Sequence, residues 1–145
     1  EHRLLAPQAG AMGAGVPAAL AAKSIFPNRQ VICFAGDGDF QMSASELGTA
    51  MQESLNPIIL IHNNGSYGTI RMHQEMRYPK RVSGTNLKNP NFKCIAEAYN
   101  FGYSKITNLS EFKVAFEKAK TIDVGFIIEM LADIKDISPG KIIDL

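Results

Sequence analysis

The strongest constraint on the fold is a set of uninterrupted apolar runs. VICFA (Val31–Ala35), PIILIH (Pro57–His62) and GFIIEML (Gly125–Leu131) are short, rich in β-branched residues and almost free of charge. Runs of this kind predict buried strands. The segments between them have helical character. Gly13–Phe26 is rich in Ala and Leu and ends at Pro27-Asn28. Ser43–Ser54 spaces Leu47, Ala50, Met51 and Leu55 for one helix face, with Ser43 and Glu46 placed as a capping box. Thr69–Met76 predicts a short helix. Phe92–Asn100 sets Ile95, Ala96 and Tyr99 on one side. Ser110–Lys120 turns Phe112, Ala115, Phe116 and Ala119 inward, with Asn108 or Ser110 near its cap. Tyr103–Thr107 is a candidate third strand. Tyr78–Pro90 is Pro/Gly/Asn-rich and irregular, and the residues after Leu131 read as a tail. Buried strands alternating with helices predict an α/β fold: a three-layer, doubly wound domain with a mostly parallel sheet and helices on both faces. At 145 residues, one domain over 1–145 is expected.

Composition removes several function classes. Net charge is +1, with no basic stripe, so no nucleic acid partner is expected. The apolar runs are too short to span a bilayer, so no membrane partner is expected. Cys33 and Cys94 form no CxxC and no Cys/His cluster; they read as two buried, reduced thiols of a cytoplasmic protein. EHRLLAPQAG has no signal-peptide pattern and reads as the middle of a longer protein.

Ligands of doubly wound sheets bind outside the carboxyl ends of the strands. That rule selects Gly36–Phe40 and Asn63–Gly68. The first strand ends in GDGDF and the second in HNNGSYG, with Asp37 and Asn64 27 positions apart. A crossover of that length brings both strand ends to one edge. A carboxylate and an amide oxygen are hard ligands suited to Mg²⁺, which takes few protein ligands and completes its octahedron with phosphate oxygens and water. Gly36 and Gly38 let backbone approach a bulky anion. Gly65–Gly68 leads into a helix whose free N–H groups favour phosphate. GDG alone is a common turn, and NNG alone is a common Asx turn. Together, at the ends of consecutive buried strands, they point to a metal with a phosphorylated ligand.

GDG followed at this distance by NN resembles the signature of thiamine diphosphate enzymes. The surrounding FAGDGDFQMSASELGTAMQESLNPIILIHNNGSYGTI resembles the acetohydroxyacid synthase/pyruvate oxidase/decarboxylase group. The similarity runs from about Ala6 to Met130. The resemblance implies the carboxy-terminal, diphosphate-binding domain of a longer enzyme, an acetolactate synthase-like 2-oxo acid decarboxylase or carboligase. It implies that Asp37, the Asn64 side chain and the Ser66 carbonyl hold Mg²⁺. Cofactor contacts would come from Gly36, Gly38, Asp39, Asn64, Ser66, Tyr67, Gly68 and Thr69. Asp39 stands where many members carry a small hydroxyl residue. A diphosphate would repel it, so its side chain is expected to turn away or to meet Mg²⁺-bound water. PQAGAMGAGVPAALAA also resembles the family: with Ala11 between them, the Gly10 carbonyl would accept from the cofactor's 4′-amino group, and Met12 would wedge between its rings.

In that family the cofactor is an electron sink, and the Glu that activates it comes from a pyrimidine-binding domain in the same or another chain. Glu46, Glu53 and Glu75 read instead as helix surface or cap residues. The chain alone is therefore expected to be inactive, and a homodimer or tetramer is expected, with an apolar face around Gly10, Met12 and Met42. The chain has no Trp, and GTIRMHQEMRYP replaces the Gln-Trp pair of standard branched-chain synthases. Arg71, His73 and Gln74 lie where substrate-proximal residues could occur, or on an exposed polar helix. His62 reads as a packed, hydrogen-bonded histidine. Two other readings compete. One is a non-catalytic binding or regulatory module. The other is a Mg²⁺-dependent phosphatase or nucleotide domain, disfavoured because no GxxxxGK[ST] loop occurs and Gly10–Met12 would go unexplained.

Overall fold

The computed structural model describes residues 4–138 and 141–142. The apolar runs form one four-stranded parallel sheet: β1 (Ile32–Gly36), β2 (Ile58–Asn63), β3 (Gly102–Ile106) and β4 (Phe126–Leu131), in the order β1-β2-β4-β3. Six α-helices are described: α1 (Gly15–Ile25), α2 (Asp37–Met42), α3 (Leu47–Gln52), α4 (Gly68–Arg77), α5 (Phe92–Ala98) and α6 (Leu109–Thr121). Strand alternation divides the core in two. On one face Cys33, Ala35, Ile59, Ile61 and Ile127 pack with Val16, Leu20, Phe40, Leu47 and Phe92. On the other, Ile58, Leu60, Phe126 and Ile128 pack with Ala115 and Ala119, and Phe112 and Phe116 flank them. Each fully buried Ile, Leu or Phe contributes about 1.5–3 kcal/mol by leaving water.

β2 and β4 are buried on both faces, as their sequences predict. β1 differs. Cys33 and Ala35 are buried, but Ile32 is 38% and Phe34 75% exposed, because α6 packs over β3 and β4. Ser43–Ser54 is also not one helix. α2 begins at Asp37, a 3₁₀ turn spans Ala44–Glu46, and α3 follows. The capping box does not form. The Glu46 carboxylate accepts from Thr49 Oγ1 at 3.0 Å, and Ser43 Oγ is buried without a partner among the described residues. Met51, expected inward, is exposed. The expected tail contains a small antiparallel pair, β5 (Asp136–Ser138) with β6 (Lys141–Ile142).

Caps set the helix ends. Asn108 Oδ1 accepts from Glu111 N at 2.9 Å, so Asn108 is the α6 cap, and Ser110 Oγ donates to it. Asn91 caps α5 by accepting from Lys93 N and Cys94 N. Lys23 is buried at the end of α1. Its Nζ donates to the Pro27 and Arg29 carbonyls at 2.9 and 2.8 Å, tying the turn that feeds β1. Among the described residues no helix is long and apolar enough to cross a membrane.

The thiols differ from expectation in one case. Cys33 is buried and Cys94 is exposed. Burial, then the nearby Asp39 carboxylate, pushes the Cys33 thiol up to about 11. The thiolate is the reactive form, so a disulfide reagent at neutral pH should titrate one thiol in the native protein and two after denaturation. Equal rates at both would contradict the packing.

Candidate functional site

The parallel pairing of β1 with β2 sets Gly36 opposite His62, so the two strand ends meet at one edge, as the spacing predicts. GDG is the first turn of α2 rather than a free loop. Asp37 is 1% exposed. Its Oδ2 accepts from Gly65 N at 2.8 Å and from Asn89 Nδ2 at 2.6 Å. Among the described residues its Oδ1 accepts only from the adjacent Gly38 N, at 3.0 Å. Asn64 Oδ1 accepts from Ser66 N at 3.1 Å, forming an Asx turn. The Ser66 carbonyl receives no donor among the described residues. α4 then starts at Gly68, and its first N–H groups have no intrahelical acceptor.

A strap holds this turn. Tyr67 N donates to Thr85 O at 2.9 Å and Leu87 N to Gly65 O at 2.8 Å. Ser66 Oγ donates to Thr85 O at 2.9 Å. The strap lies within Tyr78–Pro90, whose Pro/Gly/Asn-rich sequence predicts irregular chain. Asn89, from the same stretch, reaches Asp37 itself.

Gly38 is required for a reason other than anion approach. A Cβ there would lie 2.3 Å from Tyr67 Cε1 and 3.0 Å from Leu87 Cδ1. The Tyr67 ring therefore packs on the Gly38 backbone. At Gly36 the nearest atom to a Cβ would be Asp39 Cβ at 3.9 Å, so there the space stays open. The Asp39 carboxylate accepts a short hydrogen bond from Gly13 N. It thereby joins the first turn of α2 to the Gly10–Gly13 loop. Gly10 and Gly13 take φ of +62° and +83°, backbone that favours glycine. A Cβ at Gly13 would meet Met42 Cβ at 3.1 Å. Ala11 is exposed, and Met12 and Met42 are 44% and 50% exposed, an apolar patch where the sequence places one.

Other candidates fall elsewhere. Arg71 donates to Asn86 Oδ1 at 2.7 Å and lies 3.9 Å from Glu75. Gln74 is used on the Ser83 backbone. His73 and Thr69 are exposed on α4. Glu75 is not a surface residue: it is buried and accepts from Lys80 N at 2.9 Å. His62 is exposed rather than packed, being the next-to-last residue of β2, past the buried run Ile58–Ile61.

The donors present suit a divalent cation beside a phosphate. They comprise a buried carboxylate with one oxygen lightly engaged, an amide oxygen in a tight turn, and an unpaired carbonyl. Among the described residues no group of three or more His, Cys, Asp or Glu could hold a metal alone. An oxygen set of this kind fits Mg²⁺, which shares its shell with phosphate and water.

The fold and this edge define an α/β cofactor-binding domain. The family model described as the thiamine pyrophosphate enzyme, C-terminal TPP binding domain, matches residues 2–130. The chain is 41% identical over 123 residues to the acetolactate synthase large subunit of Buchnera aphidicola subsp. Schlechtendalia chinensis, covering 81% of this chain and 21% of that protein. It is 33% identical over 125 residues to the acetolactate synthase isozyme 2 large subunit of Escherichia coli, covering 86% and 23%. The thiamine diphosphate-dependent 4-hydroxybenzoylformate decarboxylase of Rhodococcus jostii superposes with a TM-score of 0.82 at 31% identity, covering 88% of this chain and 24% of that one. The chain belongs to the thiamine pyrophosphate enzyme family, as its C-terminal cofactor-binding domain. It spans about a fifth to a quarter of the length of these relatives.

Proposed function

We propose that this domain holds Mg²⁺ and the diphosphate of thiamine diphosphate within an acetolactate synthase-like 2-oxo acid decarboxylase or carboligase. The observation that carries the reading is the Asp37 carboxylate, buried at the sheet edge and bonded to the NNGS turn through Gly65 N at 2.8 Å. Asp37, the Asn64 side chain and the Ser66 carbonyl would hold the cation. The free N–H groups at the start of α4, at Gly68 and Thr69, would face the diphosphate. Gly36 leaves room for it, and Tyr67 keeps the turn packed against Gly38. Asp39, through Gly13, would fix the loop whose Gly10 carbonyl and Met12 side chain support the aminopyrimidine. The cofactor itself supplies the electron sink. The residues of this chain bind and orient it.

The remaining requirements lie outside this chain. The activating Glu would come from a pyrimidine-binding domain, in a cytoplasmic dimer or tetramer that buries the patch around Met12 and Met42. The synthases and the decarboxylase found among the relatives support this reaction class. The test is CO₂ release from pyruvate, benzoylformate and glyoxylate by the assembled protein with Mg²⁺ and cofactor. Turnover of any of them supports an enzyme. Cofactor binding without turnover of these or other 2-oxo acids would favour a non-catalytic module.

A further inference from the structure

One row of hydrogen bonds crosses the sheet, from Tyr103 near the start of β3 to the carboxyl ends of β2 and β1. It runs in spatial strand order, β3, β4, β2, and then to Asp37 just past β1. Tyr103 on β3 donates its hydroxyl to Glu129 Oε2 on β4. Glu129 is 4% exposed. Its Oε1 accepts from Asn63 Nδ2 on β2 at 2.7 Å, and Lys105 Nζ lies 3.7 Å away. Asn63 Oδ1 accepts from Asn89 Nδ2 at 2.8 Å and from Gly65 N at 3.2 Å. Asn89 Nδ2 also donates to Asp37 Oδ2 at 2.6 Å. Gln41 Nε2 closes the row by donating to Asn89 Oδ1 at 2.8 Å.

The row has a direction. An ionised carboxylate only accepts, whereas an amide donates from nitrogen and accepts at oxygen. Glu129 therefore draws the NH₂ of Asn63 toward itself and turns Oδ1 the other way. That oxygen then faces the NH₂ of Asn89, whose second hydrogen goes to Asp37. Burial and the bond to Glu129 hold the Tyr103 phenol well above its ordinary range, so it stays a donor. The outcome is a division of labour on Asp37. Two donors saturate Oδ2, and Oδ1, with its one contact at 3.0 Å to the adjacent Gly38 N, keeps a lone pair for a cation.

We infer that Asn89 is a positioning residue for the Asp37 carboxylate, and that Glu129, acting through Asn63, sets the orientation of Asn89. The inference rests on the proposed Mg²⁺ role of Asp37. Groups that orient metal ligands typically change metal affinity by about 10–100-fold when removed.

The test titrates Mn²⁺ into the assembled protein with thiamine diphosphate present, reading bound Mn²⁺ by electron paramagnetic resonance. Asn89→Ala should raise the Kd for Mn²⁺ by about 10–100-fold, with the thermal midpoint checked to show that it folds. Glu129→Gln keeps the shape of the side chain, touches neither Asp37 nor the proposed cation ligands, and should weaken Mn²⁺ several-fold. If Asn89→Ala does not fold, Glu129→Gln decides. Wild-type Mn²⁺ affinity in the folded variants, with affinity lost in Asp37→Ala, would overturn the positioning role and leave the metal reading standing. Wild-type affinity in Asp37→Ala as well would overturn the metal reading, and the inference with it.

Discussion

Replacing Asp37 with alanine should abolish Mg²⁺-dependent retention of thiamine diphosphate, with an expected loss exceeding the ~100-fold that marks the upper range for a group that only orients a metal ligand. The reason lies in the structure around the carboxylate. Asp37 is 1% exposed, so its carboxylate is held at the edge by the fold. The proposed cation set has one charged member and two neutral ones, Asn64 and the Ser66 carbonyl. Without Asp37, nothing in that set offsets the cation's charge. The variant also removes the Asp37 oxygen that Gly65 N and Asn89 Nδ2 share; both keep Asn63 Oδ1 as an acceptor, so each lost bond should cost about 0.5–1.5 kcal/mol. Asp37→Asn separates the two effects. It keeps an oxygen toward Gly65 but removes the charge, so it should retain more stability than Asp37→Ala while still binding Mg²⁺ poorly. Isothermal titration gives the affinity, and a thermal melt gives the stability. Equal cofactor affinity in wild type and Asp37→Asn would mean that the carboxylate charge is not used.

The largest stability effect is expected at Phe40. Its side chain is fully buried and meets Phe92 edge-on, with ring centroids 5.6 Å apart and planes at 82°. Phe40→Ala should cost about 3–5 kcal/mol, of which the aromatic pair accounts for about 0.5–1.5 kcal/mol. At this chain size the melting midpoint should fall by about 10–20 °C. Phe40 is on α2, within one turn of Asp37. Its loss therefore loosens the helix that presents the carboxylate, and cofactor affinity should fall with stability. Met51→Ala is the control. Met51 is 52% exposed, and such a surface change should stay within about 0.5 kcal/mol. A Phe40→Ala cost no larger than that of the control would contradict the packing described for α2.

Much of this site was legible because it sits at the ends of apolar runs. PIILIH and GFIIEML announce buried strands. Once the strands are parallel, a spacing of 27 from Asp37 to Asn64 leaves both at one edge. VICFA was half legible. Nothing in its composition shows that α6 stops short of β1 and leaves Phe34 in the open. The capping box at Ser43 and Glu46 failed because a helix begins earlier, at Asp37, and a 3₁₀ turn takes the place of a helix start. Glu75 reads as a surface residue by type, yet the return of the chain to Lys80 N buries it.

Asn89 could not be found from pattern. It lies in a Pro/Gly/Asn-rich stretch without periodicity, and its partners are 52 and 26 positions away. Glu129 did leave a signal. It is the lone charge in GFIIEML, and a carboxylate within a buried strand requires partners. Which partners it finds depends on the strand order, because β1-β2-β4-β3 places β4 between Tyr103 and Asn63.

The central claim is that this edge binds thiamine diphosphate through a divalent cation. Isothermal titration of the cofactor into the assembled protein, with and without Mg²⁺, tests it most directly. Saturable binding in Mg²⁺ is expected, lost when the metal is chelated and restored when it is returned. Binding of equal strength with and without Mg²⁺, or none in either condition, would contradict it.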